Sequence, residues 1–178
     1  VLAVASSGFD TESVPKVLKI FGPGNQYVTA AKQLVSLEGT AIDMPAGASE
    51  VLVLADQTAD LEFVAAEVLS QAEHLSDSQA VVVTTCLELV EPLQAELRCR
   101  VAQLPRARFA AASLEQSRVV VLKDLEEALL FCNEYAPEHL VVMTAEADRV
   151  AARIENAGSV FIGRFSPVAA GDYASGTN

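Results

Sequence analysis

Short runs of apolar residues, many of them β-branched, recur along the chain and alternate with longer stretches that have helical spacing. The short runs show no alternation of apolar and polar positions, which is typical of strands in a parallel sheet that helices cover on both faces. The predicted strands are residues 51–54, 80–83, 119–122, 140–143 and 159–162, and the predicted helices are residues 60–75, 86–104, 124–135 and 145–156. This alternation of strand and helix predicts an α/β fold.

The amino-terminal part of the chain has a pattern of its own. A short strand is predicted at residues 17–21, followed by a helix at residues 25–37 whose apolar positions have a 3,4 spacing. Residues 39–48 then contain two glycines and a proline, which favour a break in regular structure. We therefore predict two domains, one formed by residues 1–48 and the other by residues 49–178.

Composition narrows the class of protein. The chain has 178 residues, of which 51% are hydrophobic and 20% charged, and this is enough to bury a core. A net charge of -12 with scattered basic residues argues against a nucleic-acid partner. No apolar run reaches the roughly 20 residues that span a bilayer, and three widely spaced cysteines without a CxxC motif fit a reducing compartment. The chain is expected to be cytoplasmic, with no membrane partner.

The only two histidines, His74 and His139, each follow a glutamate. His74 lies three positions after Gln71 near the end of the predicted helix 60–75, so both side chains share one face. An amide oxygen and an imidazole nitrogen could hold zinc together with ligands from elsewhere. The alternative is that both side chains cap the end of the helix, and spacing alone favours this alternative.

The second pair, Glu138 and His139, lies between a predicted helix and a predicted strand. Pro137 fixes its own φ and favours an extended Ala136, so the pair is expected on a stiff turn. An adjacent acid and base could serve two different proton transfers, and the alternative is a solvated connection with an incidental histidine. The pair precedes its strand, whereas α/β sheets usually bind ligands beyond the carboxyl ends of their strands. A cleft here would need a second domain or subunit.

Two glycine-containing segments are further candidates. Residues 21–25, Phe-Gly-Pro-Gly-Asn, follow a predicted strand and open a predicted helix, where backbone amides could approach a phosphate and Asn25 could cap the helix. Without the GxGxxG pattern, a tight turn is the alternative. Residues 171–178 contain one charged residue, Asp172, which is either a turn former or a ligand.

Taken together, these segments resemble the histidinol dehydrogenase family. The matching segments are KIFGPGNQYVTAAKQLVS (19–36), AIDMPAGASEVLVLAD (41–56), VLSQAEHLSDSQ (68–79), YAPEHL (135–140), NAGSVFIG (156–163) and GDYASGTN (171–178). The resemblance implies oxidation of L-histidinol through the aldehyde to L-histidine by two NAD⁺, the last step of histidine biosynthesis. It also implies a zinc ion in each site and a homodimer with sites completed across the interface. The expected fold consists of incomplete, Rossmann-like parallel-sheet layers from parts of two domains. Residues 1–48 are expected to be part of the nucleotide-binding domain, and residues 49–178 part of the catalytic domain that holds zinc and substrate.

The resemblance also implies roles for individual residues. Gln71, His74 and Asp172 match the family's zinc ligands, which also contact the substrate, and Ser49 matches a further substrate contact. Glu138 and His139 match its acid/base pair, and Asn25 matches an NAD contact. One position departs from the family pattern, because Leu2 stands where the family has a glutamine that contacts NAD.

The chain is expected to be a fragment from the middle of such an enzyme. It begins at Val1 without a methionine and stops at Asn178, before a later zinc-binding histidine and a substrate-binding glutamate of the family. The 178 residues alone are therefore expected to be inactive. Two alternatives remain, namely a related dehydrogenase of another amino alcohol and a catalytically silent α/β domain used for binding or dimer contacts.

Overall fold

The protein is described by a computed structural model that covers residues 1–22, 25–43, 49–73, 78–171 and 174. The chain divides into two compact units, Val1–Gly47 and Ala48–Asn178. This division falls inside the segment 39–48. The nucleotide-binding and catalytic roles of the two domains stay predictions.

The described residues of the first unit form two helices and a small parallel sheet. Its elements are α1 (Leu2–Phe9), β1 (Lys19–Ile20), α2 (Gln26–Leu37) and β2 (Ala41–Ile42), and β1 pairs with β2. The sequence pattern did not predict α1 or β2. Gly8 lets α1 pack closely on α2, because a Cβ at Gly8 would lie 2.5 Å from Cγ1 of Val35. The predicted strand 17–21 is only two residues long in the structure.

The second unit is a five-stranded parallel sheet with helices between its strands, and it confirms the predicted α/β fold. Its elements are β3 (Glu50–Ala55), α3 (Leu61–Ala72), β4 (Gln79–Thr84), α4 (Val90–Val101), α5 (Ala107–Gln116), β5 (Arg118–Val121), α6 (Leu125–Tyr135), β6 (His139–Met143), α7 (Ala147–Ala151), β7 (Ser159–Ile162) and α8 (Val168–Ala170). The strands lie in the order β5-β4-β3-β6-β7. The order therefore reverses between β3 and β6, which are neighbours at the centre of the sheet.

Helices cover both faces of this sheet, as the unbroken apolar runs predict. Val51 and Val53 of β3 face a cluster that includes residues of α3 and α4. Leu52 and Leu54 face the opposite cluster, which includes residues of α6 and α7. All four side chains are at most 1% exposed, and each contributes about 1.5–3 kcal/mol through burial. The central strands are thus a firm base for the residues at their ends.

Three helices differ from the predicted pattern. A 3-10 helix at Leu87–Leu89 precedes α4, so the predicted helix 86–104 begins differently. The pattern missed α5, because its buried positions, Ala110 and Ser113, are small or polar and give a weak apolar signal. The predicted helix 145–156 ends early at α7, because the Asn133 side chain accepts the amide hydrogens of two later residues, Glu155 and Asn156. Within the described ranges, no helix combines the length and apolar character needed to cross a membrane.

Candidate active site at the amino edge of β3 and β6

The predicted acid/base pair lies at the edge of the sheet where β3 and β6 begin. The register pairs Val51 with His139, so the residues before these two positions are also neighbours. His139 is the first residue of β6, not part of a connection, and Glu138 directly precedes it. Ser49 directly precedes β3, and its carbonyl oxygen accepts the amide hydrogen of Gln79 at 3.4 Å. The parallel pairing of β3 and β6 thus brings the Ser49–Glu50 and Glu138–His139 segments to one edge.

The turn that carries Glu138 is held by backbone contacts on both sides. Helix α6 ends with Ala136 in the left-handed region at φ 51° and ψ 61°, and its amide donates to the Cys132 oxygen at 3.0 Å. The expectation of an extended Ala136 was therefore wrong, because this residue ends α6 as a left-handed cap, which turns the chain away from the helix axis. On the other side, the Gly158 amide donates to the Pro137 oxygen at 2.9 Å. The turn is fixed to both α6 and the start of β7.

Glu138 and Glu50 exchange hydrogen bonds between side chain and backbone. The Glu50 amide donates to Oε2 of Glu138 at 3.3 Å, and the Glu138 amide donates to Oε1 of Glu50 at 3.3 Å. Two carboxylates at neighbouring positions of a parallel pair would repel each other in isolation. Here each carboxylate accepts a hydrogen bond from the backbone amide of the other residue, and such bonds to charged acceptors are stronger than neutral ones.

Tyr135, the last residue of α6, completes this arrangement. Its hydroxyl donates to Oε2 of Glu50 at 2.9 Å and lies 3.3 Å from Oε1 of Gln79. Burial and the neighbouring Glu50 carboxylate raise the pKa of Tyr135 to about 12. The hydroxyl therefore stays protonated at neutral pH and remains a hydrogen-bond donor. Neither Glu50 nor the Tyr135 hydroxyl was predicted from the sequence as a site residue, although both lie inside matched motifs.

His139 is buried beside this cluster. It is 6% exposed, and its Nδ1 atom lies 3.9 Å from Oε2 of Glu138, which is too far for a hydrogen bond. Nδ1 has no hydrogen-bond partner among the residues that the structure describes. A buried polar atom without a partner costs about 1–3 kcal/mol, so such atoms are uncommon unless a ligand completes them. Nδ1 of the imidazole is thus available to a partner that lies outside the described residues.

Of the three predicted zinc ligands, the structure describes Gln71. His74 and Asp172 lie outside the described residues, so the structure does not compare the zinc interpretation of His74 with the helix-cap alternative. Gln71 is 3% exposed near the end of α3, and its Nε2 atom has no partner within the described ranges. The helix end is closed by backbone, because the Glu73 amide donates to the Leu69 oxygen at 3.0 Å.

The Gln71 side chain fits a role as ligand to a bound group. The unpartnered Nε2 atom is a hydrogen-bond donor and needs an acceptor outside the described residues, whereas the oxygen of the same amide is the atom suited to a borderline cation. One turn earlier on α3, the buried Glu67 accepts the amide hydrogen of Val168 at 3.2 Å. This bond ties α3 to α8, the helix that precedes Asp172 in the chain. In the described part of the chain, no cluster of three or more His, Cys, Asp or Glu side chains forms a metal site.

Asn25 lies in the first unit, where it caps α2 as predicted. Its Oδ1 atom accepts the amide hydrogens of Tyr27 at 3.1 Å and Val28 at 3.2 Å. Gly22, before this cap, is anchored by a charged pair in the same unit. The buried Lys32 side chain donates to Oδ1 of Asp43 at 2.5 Å and also to the Gly22 oxygen. The NAD contact of Asn25 stays a prediction.

Comparisons with known proteins place the whole chain in one family. The sequence model of histidinol dehydrogenase matches residues 1–178. The chain is 60% identical over 178 residues to the histidinol dehydrogenase of Bacteroides thetaiotaomicron and 58% identical to that of Bacteroides fragilis. Each match covers 100% of this chain and 42% of the relative, so the chain spans about two fifths of the length of these curated relatives.

A solved structure agrees with the sequence comparisons. The crystal structure of histidinol dehydrogenase from Elizabethkingia anophelis matches with a TM-score of 0.93 at 52% identity. The match covers 99% of this chain and 41% of that protein. Both the sequence and the fold lead to the same assignment, and the chain belongs to the histidinol dehydrogenase family.

Proposed function

We propose that the gene product containing this chain oxidises L-histidinol through the aldehyde to L-histidine with two NAD⁺, the last step of histidine biosynthesis. Family membership supports this proposal. The observation that carries it is the pairing of a buried imidazole that lacks a partner at Nδ1, among the residues described, with the adjacent Glu138 carboxylate. Acid/base pairs of this kind accelerate proton transfer by about 10²–10⁴-fold.

In this proposal, the two members of the pair act at different steps. His139 removes the proton from the substrate hydroxyl, a step that an imidazole within hydrogen-bond reach of that hydroxyl can carry out. Glu138 activates the water that adds to the aldehyde, and its 26% exposed side chain is accessible to that water. Ser49, at the same sheet edge, contacts the substrate.

The bound groups belong to the same proposal. Gln71, His74 and Asp172 hold zinc and contact the substrate, and Asn25 contacts NAD. Held by these residues, zinc would supply a positive charge that anchors the substrate, and bound NAD⁺ would supply the hydride acceptor. The homodimer and the cytoplasmic location stay predictions. The 178 residues alone are expected to form no NADH, since the curated relatives are more than twice as long.

The test uses the complete gene product and measures the first NADH formed from histidinol in a single turnover and, in separate reactions, NADH formed from the aldehyde. We expect His139→Asn to abolish oxidation of histidinol while bound zinc is retained. Glu138→Gln should slow oxidation of the aldehyde by about 10²–10⁴-fold and oxidation of histidinol much less. The matched control is Glu126→Gln, which makes the same change on α6. Glu126 forms an exposed ion pair with Arg153.

Four results would contradict the proposal. Equal losses on both substrates for Glu138→Gln would refute the separate roles. Full activity of His139→Asn would refute its role as base. If the complete wild-type protein oxidises another amino alcohol but not histidinol, the substrate is wrong, and if it binds no zinc and oxidises neither, the catalytically silent alternative stands.

A further inference from the structure

Glu50 is a second carboxylate at the candidate site, and the family resemblance assigned it no role. Both of its oxygens are occupied by donors from this chain, namely the Glu138 amide at Oε1 and the Tyr135 hydroxyl at Oε2. Its own amide donates to Oε2 of Glu138. Glu50 therefore contacts Glu138 through both its side chain and its backbone.

These contacts restrict how Glu138 can move. The carboxylate of Glu138 is held by an amide at the start of β3, and β3 is the central strand of the sheet. The backbone of Glu138 is held by the Glu50 carboxylate, which the Tyr135 hydroxyl fixes in turn. Catalytic groups lose rate steeply when they are misplaced, and a shift of 1 Å can cost about 10²-fold.

We propose that Glu50, fixed by the Tyr135 hydroxyl, is a positioning residue. It orients the Glu138 carboxylate so that this carboxylate can activate the water that adds to the aldehyde. The inference rests on the proposed function, since it assumes that Glu138 serves oxidation of the aldehyde. Glu50 does not touch the reacting atoms in this scheme. Its contribution is to hold Glu138 in one orientation, so its loss should affect the same step as the loss of Glu138.

The experiment replaces Glu50 and Tyr135 in the complete gene product. Glu50→Gln keeps the shape of the side chain but cannot accept hydrogen bonds at both of its terminal atoms. Tyr135→Phe removes only the hydroxyl. Each variant should lower kcat for the aldehyde by about tenfold and the rate of first NADH formation from histidinol by less than about threefold, with KM for histidinol and bound zinc unchanged. A merely structural role would lower both rates equally.

A double variant isolates the coupling between the two carboxylates. In a Glu138→Gln background, Glu50→Gln should cause no further loss with the aldehyde, because there is no ionised Glu138 left to orient. Glu126→Gln is again the matched control, and it should leave the ratio of the two rates unchanged. If Glu50→Gln fails to fold, Tyr135→Phe alone decides the question by the same ratio.

The outcomes separate this inference from the proposed function. If Glu138→Gln slows both oxidations equally, the proposed role of Glu138 fails. If Glu138→Gln is selective for the aldehyde but Glu50→Gln and Tyr135→Phe are not, only the positioning role is overturned. Additive losses in the double variant would also overturn it.

Discussion

Gly158→Ala is expected to damage the candidate site through its backbone. Gly158 lies just before β7, and an added Cβ would lie 2.6 Å from the Glu138 carbonyl oxygen. Ordinary contact begins at 3.4 Å, so the backbone of Glu138 or of Gly158 must move by roughly 0.8 Å. The neighbouring atom is backbone and not a flexible side chain, so no rotamer change relieves the contact.

The magnitude follows from this displacement. Overpacking of this kind costs about 1–3 kcal/mol in the free energy of unfolding. A shift of nearly 1 Å at Glu138 should lower kcat for the aldehyde by roughly 10- to 100-fold. Stability is measured by urea denaturation and activity by NADH formation, both on the complete gene product.

Gly163→Ala, at the other end of β7, is the matched control. Gly163 has φ +82°, and an added Cβ there would meet no atom within 4 Å among the described residues, so alanine causes strain without a clash. We expect a loss of about 1–2 kcal/mol in the free energy of unfolding with little change in kcat. If Gly158→Ala loses no more activity than Gly163→Ala, the argument from close packing against Glu138 is refuted.

Three further experiments test separate parts of the chain. Lys32→Met should leave the Asp43 carboxylate without its buried partner and lower the free energy of unfolding by about 2 kcal/mol. Hydrogen exchange in α2 should therefore accelerate roughly 30-fold, while exchange in β3 is unaffected. Unchanged exchange in α2 would contradict this prediction. The raised pKa of Tyr135 contributes stability that is complete below pH 10 and is lost as the pH rises towards about 12. Glu50→Gln should lower that pKa. An ultraviolet titration in which the ionisation of Tyr135 stays near pH 12 would count against the contact with Glu50. Asn25→Asp keeps the capping oxygen, whereas Asn25→Ala removes it and should destabilise α2 by about 1 kcal/mol. If the side-chain amide contacts NAD, both variants raise KM for NAD⁺. An unchanged KM in the aspartate variant would argue against that contact.

The sequence alone determined the elements whose signal is local. Each central strand is a run of apolar, β-branched residues with no polar interruption, and burial on both faces is the physical condition that favours such runs. The cap at Asn25 was also predictable, because an asparagine side chain reaches the free amides of the helix that follows it. The weak apolar signal of α5 and the early end of α7 were not predictable, because the first has small buried residues and the second depends on a distant side chain, Asn133.

The tertiary structure decided which strand ends meet. Glu50 and Glu138 are 88 positions apart, and nothing in the spacing of either motif indicates that β3 lies beside β6 and not beside another strand. The left-handed Ala136 was equally hidden, since the local preference before a proline opposes it and only the closure of α6 favours it. Periodicity reports whether a residue is buried, whereas the contacts that orient a side chain depend on sheet order and register, which are properties of the whole fold.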